Sequence, residues 1–435
     1  MSALDPRPAE PTDRPPEGSV LDRRTLNRTL LARQHLLDRV AMPVPAMIEH
    51  LVGLQAQVPR DPYVSLWSRI KGFDPLELER LLVERLAVRM TLMRTTLHLV
   101  TVRDAHELRA AMQEVCERGF RSSPFRRRLE GVDMAELLAA GRTVLEVRPR
   151  TIAELGGELA PLWPAHDPSA LAYAVRYLLP LVQPPPRGLW RRSGASRVTT
   201  AAAWLGSTAE GEPGNDGTAE GVVLRYLRAF GPATVADIRT WSWLTGLAAV
   251  IERLRPRLRT FRDEAGRVLF DVEDGTFTAP DRPAPVRFTG EYDNLFLSHA
   301  DRSRITGDNR WDSAYARKGA FFVDGFLAGS WRAVRAGGSA SLELEPVVRV
   351  GPRTRSEVDD EAAALLGFLE LEVATRTVTW RAGQPSQAAP AHPDPMTGRR
   401  SRPARGRSLR SEACPPGAGR SCRSHRHRAV PAGPR

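Results

Sequence analysis

Two glutamines separated by a single alanine, Gln55 and Gln57, lie in the segment GLQAQVPRDP at residues 53–62. A glutamine amide accepts hydrogen bonds through its oxygen and donates them through its NH2 group, but it does not titrate. Such a pair can hold a water molecule or stabilise a developing positive charge, whereas it cannot act as a general base. This pair is the sequence's main candidate for chemistry.

The backbone around this pair decides whether the two amides can cooperate. Residues i and i+2 of a regular helix point about 200° apart. Pro59 disfavours helical backbone at Val58, the residue before it. We therefore predict a helix that ends near Gln57, where the chain can turn both amides toward one cleft. The alternative is that both glutamines are ordinary solvated or capping side chains.

Other common catalytic arrangements are absent from the sequence. The only two lysines, Lys71 and Lys318, are neither preceded by glycine nor followed by serine or threonine, as a phosphate-binding P-loop requires. The patterns H-E-x-x-H, G-x-S-x-G and G-x-G-x-x-G do not occur. ATP hydrolysis, zinc proteolysis and dinucleotide redox chemistry are thereby disfavoured, and no cofactor is expected.

The cysteines give neither a disulfide framework nor a zinc site. Cys116, Cys414 and Cys422 include no C-x-x-C pair, and the zinc-deaminase spacing is missing. No run of about 18 apolar residues occurs, and the first twenty residues lack the apolar core of a signal peptide. We expect a protein of the reducing cytoplasm, without a structural zinc site and without a membrane span.

The positive charge is concentrated at the C-terminal end. Residues 381–435 carry twelve arginines against two acidic residues, a net +10, which leaves +2 of the total +12 for residues 1–380. Any nucleic-acid contact in the body must therefore come from locally placed arginines. Residues 1–22 and 381–435 are rich in proline or in small and polar residues, and both are predicted to be disordered. The tail is either a nonspecific basic arm or a stretch outside the functional fold.

Amphipathic helices followed by two short β runs recur along the body, which is the order of a winged helix. The clearest copy has a helix at 219–230, a second one capped by Thr234, and a hairpin that turns at 264–266. We predict an α+β fold with three tandem winged-helix units and a β-rich C-terminal domain on which one helix packs. The predicted boundaries are 23–106, 107–205 with a long basic hairpin, 206–284 including a linker, and 285–380.

Two groups of side chains are candidates for DNA contact. The first lies on the first wing, where strand alternation would place Arg94, Thr96 and His98 on one face. The second joins flexible glycines to an aromatic ring and a basic cluster, suited to a minor groove or a disrupted base pair: Arg187, Trp190, Arg191 and Arg192. The alternative for both groups is a purely structural role, with His98 packed in the core.

Four further polar residues have structural and functional interpretations. Asp61 could assist the glutamine pair, but a helix cap before Pro62 is the simpler prediction. Asp293, His299 and Asp301 are expected to form a buried polar network rather than a metal site.

Five segments together resemble the winged-helix DNA-binding family that contains the AlkZ and YcaQ DNA glycosylases. They are RQHLLDR (33–39), GLQAQVPRDPYVSLWSRI (53–70), LMRTTLHLV (92–100), PPRGLWRRSG (185–194) and YDNLFLSHADRSRI (292–305). The similarity runs in order over about residues 25–380. The run QAQ fits the Gln-apolar-Gln motif of the AlkZ-like branch, whereas the YcaQ-like branch has Gln-apolar-Asp.

This resemblance implies a DNA glycosylase that removes bulky or cross-linking alkyl adducts, chiefly N7-alkylated purines, from double-stranded DNA. It further implies that Gln55 and Gln57 hold a water near C1′ and that no metal or redox cofactor takes part. A lysine-imine route would need a lysine, and only Lys71 lies in the first unit, so a monofunctional, monomeric hydrolase is expected. The alternatives are a non-catalytic winged-helix transcription regulator and, less favoured, a protein-protein adaptor.

Overall fold

The structure is a computed structural model that describes residues 14–206, 214, 217–308 and 317–381. The described residues all belong to a unit of the chain that spans residues 1–386. Predictions for residues 1–13, for most of the 206–217 linker and for the tail from 382 onward lie outside the described residues.

Seventeen helices occur in the described part of the chain. They are α1 (Arg23–Arg33), α2 (Val44–His50), α3 (Asp61–Trp67), α4 (Pro75–Val83), α5 (Val102–Ala111), α6 (Gln113–Ser122), α7 (Pro124–Arg127), α8 (Met134–Val147), α9 (Ile152–Leu159), α10 (Pro168–Leu178), α11 (Ala201–Leu205), α12 (Ala219–Phe230), α13 (Val235–Ser242), α14 (Leu247–Leu254), α15 (Asn294–Leu297), α16 (Ser303–Thr306) and α17 (Pro352–Leu369). The predicted cap at Thr234 is confirmed, since its hydroxyl accepts the N–H of Asp237 at 3.1 Å.

The strands form three sheets. They are β1 (Val20–Leu21), β2 (Leu54–Gln55), β3 (Ala87–Thr91), β4 (Leu97–Thr101), β5 (Arg150–Thr151), β6 (Leu181–Val182), β7 (Arg197–Thr200), β8 (Leu258–Asp263), β9 (Val268–Val272), β10 (Arg287–Thr289), β11 (Gly319–Val323), β12 (Phe326–Ala336), β13 (Ser339–Pro346) and β14 (Thr375–Trp380). The predicted mixture of helices and strands is thus confirmed. The hairpin of β8 and β9, with its turn near Gly266, also agrees with the sequence prediction.

The central sheet has the strand order β2-β4-β3-β6-β7-β5. It joins the first two predicted units, because Met90 of β3 pairs with Val182 of β6. β6 and β7 pair as an antiparallel hairpin, as predicted, and are linked by a long connection over residues 183–196. This sheet is the frame on which the glutamine pair and that connection are held.

The first residues of the chain that the structure describes are ordered, which corrects part of the predicted disorder over 1–22. Val20 and Leu21 form β1, which pairs in parallel with β8 opposite Arg262 and Asp263. Leu21 is buried in a small core. The strand forms because the edge of the β8–β9 hairpin offers unpaired backbone groups, a partner that lies too far along the chain to be read from composition.

The closing region agrees with the prediction of a β-rich domain with one packed helix. Its sheet has the order β10-β11-β12-β13-β14, with β14 parallel to β13. α17 lays Val358, Ala362 and Leu365 into the core of this sheet. The predicted packed helix is therefore present, and it spans Pro352–Leu369.

The second helix ends before the glutamine pair, so the predicted helix end near Gln57 is wrong. α2 stops at His50, and Val52 and Gly53 then adopt left-handed backbone with φ of 55° and 86°. Two successive left-handed residues end the helix before Pro59 can act. Gly53 is required there, since a Cβ atom at this position would lie 2.8 Å from Cγ1 of Val100.

Candidate active site

The glutamine pair lies on the short edge strand β2 and its extension. Gln55 is opposite His98 of β4, and the Ala56 N–H donates to the Leu97 carbonyl at 2.8 Å, so the segment continues along β4. Gln55 lies in β2, and Gln57 lies in the bend that follows the strand. Both amide oxygens accept a hydrogen bond from the β3–β4 hairpin, that of Gln55 from Arg94 and that of Gln57 from the Leu97 N–H. Gln55 is 7% exposed, whereas Gln57 is exposed.

The amide of Gln55 is held by Arg94. Nη2 of Arg94 donates to Oε1 of Gln55 at 2.7 Å, and its Nη1 donates to the carbonyl of Trp241 in the last turn of α13. Burial lowers the pKa of Arg94 to about 10, so the guanidinium stays charged at neutral pH. Arg94 was expected on a DNA-facing strand, but its guanidinium lies against Gln55.

Gln57 is held more loosely than Gln55. Its Oε1 accepts the Leu97 N–H at 3.4 Å, at the long end of hydrogen bonding. Within the described residues, no protein group accepts a hydrogen bond from Nε2 of Gln55 or of Gln57. The two NH2 groups and the outer face of the Gln57 carbonyl are therefore available to solvent or to a ligand.

The backbone between the two glutamines is fixed by Arg89 of β3, a residue that the sequence analysis missed. Nη2 of Arg89 donates to the Ala56 carbonyl at 2.6 Å, and Nη1 donates to the Arg187 carbonyl at 3.2 Å. Burial lowers the pKa of Arg89 to about 10. The only sequence signal was a charged residue in an otherwise apolar strand, AVRMT. A Cβ atom at Gly188 would lie 2.8 Å from Cδ of Arg89, which explains the glycine there.

His98 is fully buried beside Gln55. Its Nδ1 donates to the Thr96 carbonyl at 3.0 Å, which leaves Nε2 as an acceptor without a hydrogen-bond partner in the described structure. Burial and the charge of Arg94 lower the pKa of His98 to about 3, so the ring is neutral. In this conformation His98 offers no surface to DNA, in agreement with the alternative of a packed core histidine.

Arg94, Thr96 and His98 do not share the face of one strand, because Arg94 lies in a turn, Thr96 follows that turn, and only His98 lies in β4. Residues Met93–Thr95 form a single 3-10 turn, with φ of 55° at Arg94 and 57° at Thr95. The Thr96 hydroxyl donates to the Met93 carbonyl at 3.0 Å. The tight turn between β3 and β4 breaks the alternation on which the sequence argument depended.

The second predicted DNA-binding group lies entirely in the connection 183–196, beside the glutamine segment. Trp190 packs between Tyr63 and Phe368, with ring centroids 4.8 and 4.9 Å away. The Tyr63 hydroxyl in turn donates to the Gly188 carbonyl at 2.8 Å. The aromatic ring therefore attaches the connection to α3 and α17.

The arginines of this connection differ in their surroundings. Arg187 donates to the Gly194 carbonyl at 3.2 Å within the connection. Arg191 donates to the Leu369 carbonyl at 2.6 Å and lies 3.6 Å from Glu372. Arg192 is exposed, and no side-chain contact within the described residues is recorded for it. All three arginines thus lie in a connection whose backbone is linked to the glutamine segment through Arg89, and their side chains have different partners.

Asp61 is not the helix cap that the sequence predicted. It is the first residue of α3, no side-chain capping bond is made there, and its carboxyl group is 3% exposed. A Cβ atom at Gly290 would lie 3.2 Å from the Asp61 carboxyl carbon, so the chain before α15 closes over it. Burial, with a contribution from Glu291, raises the pKa of Asp61 to about 8, and the carboxyl group is largely protonated at neutral pH.

The polar residues of the segment 292–305 are structural. Asp293 is buried, forms a two-point ion pair with Arg69 at 2.8 and 3.0 Å, and accepts the Ser65 hydroxyl at 2.7 Å. Buried His299 contacts the Ser298 hydroxyl at 2.8 Å. Asp301 is partly exposed and pairs with Arg267 at 2.6 Å. Asp293 and His299 therefore fit the predicted buried network, while Asp301 lies at its surface.

Among the described residues, no group of three or more His, Cys, Asp or Glu side chains is arranged to bind a metal ion. None of the helices in that part of the chain has the length and apolar character needed to cross a membrane.

Comparison with known proteins identifies the class. A family model described as DNA glycosylase AlkZ-like matches residues 48–368, well over half of the chain. The protein therefore belongs to the AlkZ-like DNA glycosylase family, which confirms the resemblance carried by the five segments.

The solved structure of the Streptomyces sahachiroi DNA glycosylase AlkZ has the same fold. It superposes with a TM-score of 0.64 at 21% sequence identity, over 83% of this chain and 100% of that chain. No curated protein matches the sequence.

Proposed function

We propose that this DNA glycosylase hydrolyses the N-glycosidic bond of N7-alkylated purines in duplex DNA, including bulky and cross-linking adducts. The observation that carries the proposal is the arrangement of Gln55 and Gln57. Both amide oxygens accept a hydrogen bond from the β3–β4 hairpin at the border between core and solvent, and Arg94 holds the amide of Gln55. The pair would position a water molecule at C1′.

The chemistry of the substrate explains why neutral amides suffice. Alkylation at N7 gives the purine a positive charge, and the C1′–N9 bond then breaks without prior protonation of the base. Its electron pair goes to the purine, which leaves neutral. The water oxygen bonds to C1′, and a proton passes to bulk solvent. The two amide groups would hold the water molecule in place and stabilise the oxocarbenium character of the sugar. This step therefore needs only orientation and electrostatic stabilisation from the protein.

We propose that DNA is contacted mainly by the connection 183–196. Two contacts attach this connection to the glutamine segment: Arg89 to the Arg187 carbonyl and Tyr63 to the Gly188 carbonyl. A duplex placed over Gln57 would therefore meet Arg187, Arg191 and the exposed Arg192. The packing of Trp190 favours a role in holding the connection in place. The burial of His98 likewise favours a supporting role, as do the contacts of Arg94 and Thr96.

Several finer features belong to the same proposal. The enzyme is monofunctional, because an imine route needs a lysine and Lys71, which follows α3, is the only one in the first unit. It works without a metal ion, as a monomer, in the cytoplasm at the nucleoid. The repeated order of helices and hairpins supports three winged-helix units, although the first two share a sheet.

A strand-scission assay tests the proposal. Purified protein is incubated with a duplex that bears one N7-methylguanine, and alkali then cleaves the abasic sites that have formed. We expect scission above the rate of spontaneous depurination and none on an unmodified duplex. Gln55→Ala and Gln57→Ala should each slow it at least ~10-fold, the effect of losing one to two kcal/mol of transition-state stabilisation.

Duplex affinity in the two variants should stay near that of the parent protein, because neither glutamine is assigned to DNA binding. Unchanged scission rates in both variants would remove the glutamine pair from the mechanism. Affinity without scission in the parent protein would favour the non-catalytic DNA-binding alternative.

A further inference from the structure

We propose that Arg94 is a positioning residue that gives the two glutamines different roles. It turns the Gln55 amide so that its NH2 group faces the substrate as a donor, while Gln57 presents its carbonyl as the acceptor. This inference depends on the proposed function of the glutamine pair, and it moves Arg94 from DNA contact to the support of catalysis.

The first step is the chemistry of the contact. A guanidinium group has only donors, so the Gln55 atom that lies 2.7 Å from Nη2 must be the oxygen. The reversed amide would bring two N–H donors together in a buried site, at the cost of an unpaired polar group. The orientation of the Gln55 amide is thereby set by Arg94, its one side-chain hydrogen-bond partner among the described residues.

The second step is that Arg94 is itself anchored from another part of the chain. Its Nη1 donates to the Trp241 carbonyl near the C-terminal end of α13, where helix carbonyls favour a cation. The turn that contains Arg94 also packs closely against α6. At Gly119 of that helix, a Cβ atom would lie only 2.6 Å from Cγ2 of Thr95. Both Nη atoms of Arg94 are thus hydrogen-bonded to protein groups. Such a guanidinium restricts the Gln55 amide more than a solvent-exposed guanidinium would.

The third step is the contrast with Gln57. Its oxygen has only the long 3.4 Å contact with the Leu97 N–H, and the side chain is exposed. An amide oxygen has two lone pairs and can accept a further hydrogen bond from water. The Gln55 NH2 has donors only, so its partner in a complex must be an acceptor on the departing purine or on its deoxyribose.

Carboxylate substitutions separate the two roles. Gln55→Glu keeps an oxygen for Arg94 but replaces the donor with a second oxygen, and we expect scission of the N7-methylguanine duplex to fall about 100-fold. Gln57→Glu keeps an acceptor, and we expect it to lose less than about 10-fold. Equal losses at the two positions, or a larger loss at Gln57, would overturn the division of roles.

Rescue experiments address Arg94 itself. Arg94→Ala should lower kcat at least ~10-fold with little change in duplex affinity. Guanidinium at millimolar, non-denaturing concentration should restore part of this activity, whereas sodium at equal ionic strength should not. Arg109→Ala is the matched control, because Arg109 is also a buried arginine that donates to backbone carbonyls, those of Tyr177 and Leu178. Guanidinium should not raise kcat in that variant.

A double variant distinguishes failure of this inference from failure of the proposed function. Gln55→Ala/Arg94→Ala should be no slower than Gln55→Ala alone and should not respond to guanidinium. Additive losses, or an Arg94→Ala variant with weakened duplex affinity and unchanged kcat, would return Arg94 to DNA contact. If Gln55→Ala alone has full activity, the proposed function fails first. If Arg94→Ala does not fold, the two carboxylate variants still decide the division of roles.

Discussion

Asp61 shows how burial, here assisted by a neighbouring carboxylate, can set the charge state of a side chain. The carboxyl group is almost fully covered, and its Oδ2 has no hydrogen-bond partner in the described structure. Its pKa of about 8 lies above the ordinary value of 3.8, so the folded protein binds a proton between these pH values that the unfolded chain releases. Folded-state stability must then fall as pH rises through this window.

Asp61→Asn should therefore flatten the pH dependence of stability. An asparagine has nearly the same shape as an aspartic acid and no charge. As pH rises from about 4 to about 8, the free energy of unfolding should therefore decrease less for the variant than for the parent protein. We expect the difference at pH 8 to be on the order of a few kcal/mol relative to pH 4. Urea unfolding at several pH values measures it. Parallel curves for the two proteins would show that Asp61 is ionised when folded.

The residues of the site could be predicted from the sequence only where they lie close together along the chain. The glutamine pair could be singled out because two amides and a proline lie within one short segment. Arg89 and Arg94 could not be assigned, because their partners Arg187 and Trp241 lie far along the chain. No periodicity marks a contact of that kind. The role of Gln55 depends on such contacts as much as on its own side chain.

At the scale of elements, the turn at Val52 and Gly53 ends α2 and places Gln55 in β2, with Gln57 just beyond that strand. Gly53→Ala should destabilise the protein by about 1 to 3 kcal/mol and slow scission, because a left-handed alanine is strained and its Cβ would press on Val100. Gly72→Ala is the matched control, since Gly72 has φ of 69° and open space around it. Thermal unfolding and scission assays compare the variants. Equal effects of the two substitutions would contradict a specific requirement at Gly53.

Elements with strong local signals were predicted well, and those that depend on distant pairing were not. α12 and the hairpin of β8 and β9 follow from apolar spacing, capping and turn residues. The end of α2 was misplaced because a left-handed valine, as at Val52, has no reliable sequence signal. β1 was missed because a two-residue strand has no pattern of its own.

At the scale of the molecule, charge is divided unevenly between body and tail. Residues 382–435 carry eleven arginines and two acidic residues. Truncation after Arg381 keeps the ion pair of that residue with Glu343 and should weaken nonspecific duplex binding mainly at low salt. Affinity measured at about 50 and 200 mM salt should give a shallower slope than for the full chain. A tail with glutamine in place of arginine should behave like the truncation, and an unaltered slope would exclude a basic arm.

The predicted units are less independent than their repeated order suggests. The central sheet runs from the first into the second, and one core cluster contains Leu30, Val100, Phe230 and Phe322. Each such large apolar side chain contributes roughly 1.5 to 3 kcal/mol when fully buried. Sequence spacing gave the units, but it could not give their shared sheet and core, since these depend on contacts between distant segments.

The backbone hydrogen bonds between β2 and β4 end one bond before regular antiparallel pairing would end. The Ala56 carbonyl accepts a hydrogen bond from Arg89, and the Leu97 N–H, its regular partner, donates to the Gln57 side chain instead. A buried cation thus interrupts regular pairing at the point where a polar side chain must emerge. Regular pairing here would leave the Gln57 side chain without its hydrogen bond from the Leu97 N–H. At this edge a hydrogen bond between backbone and side chain therefore replaces one between two backbone groups.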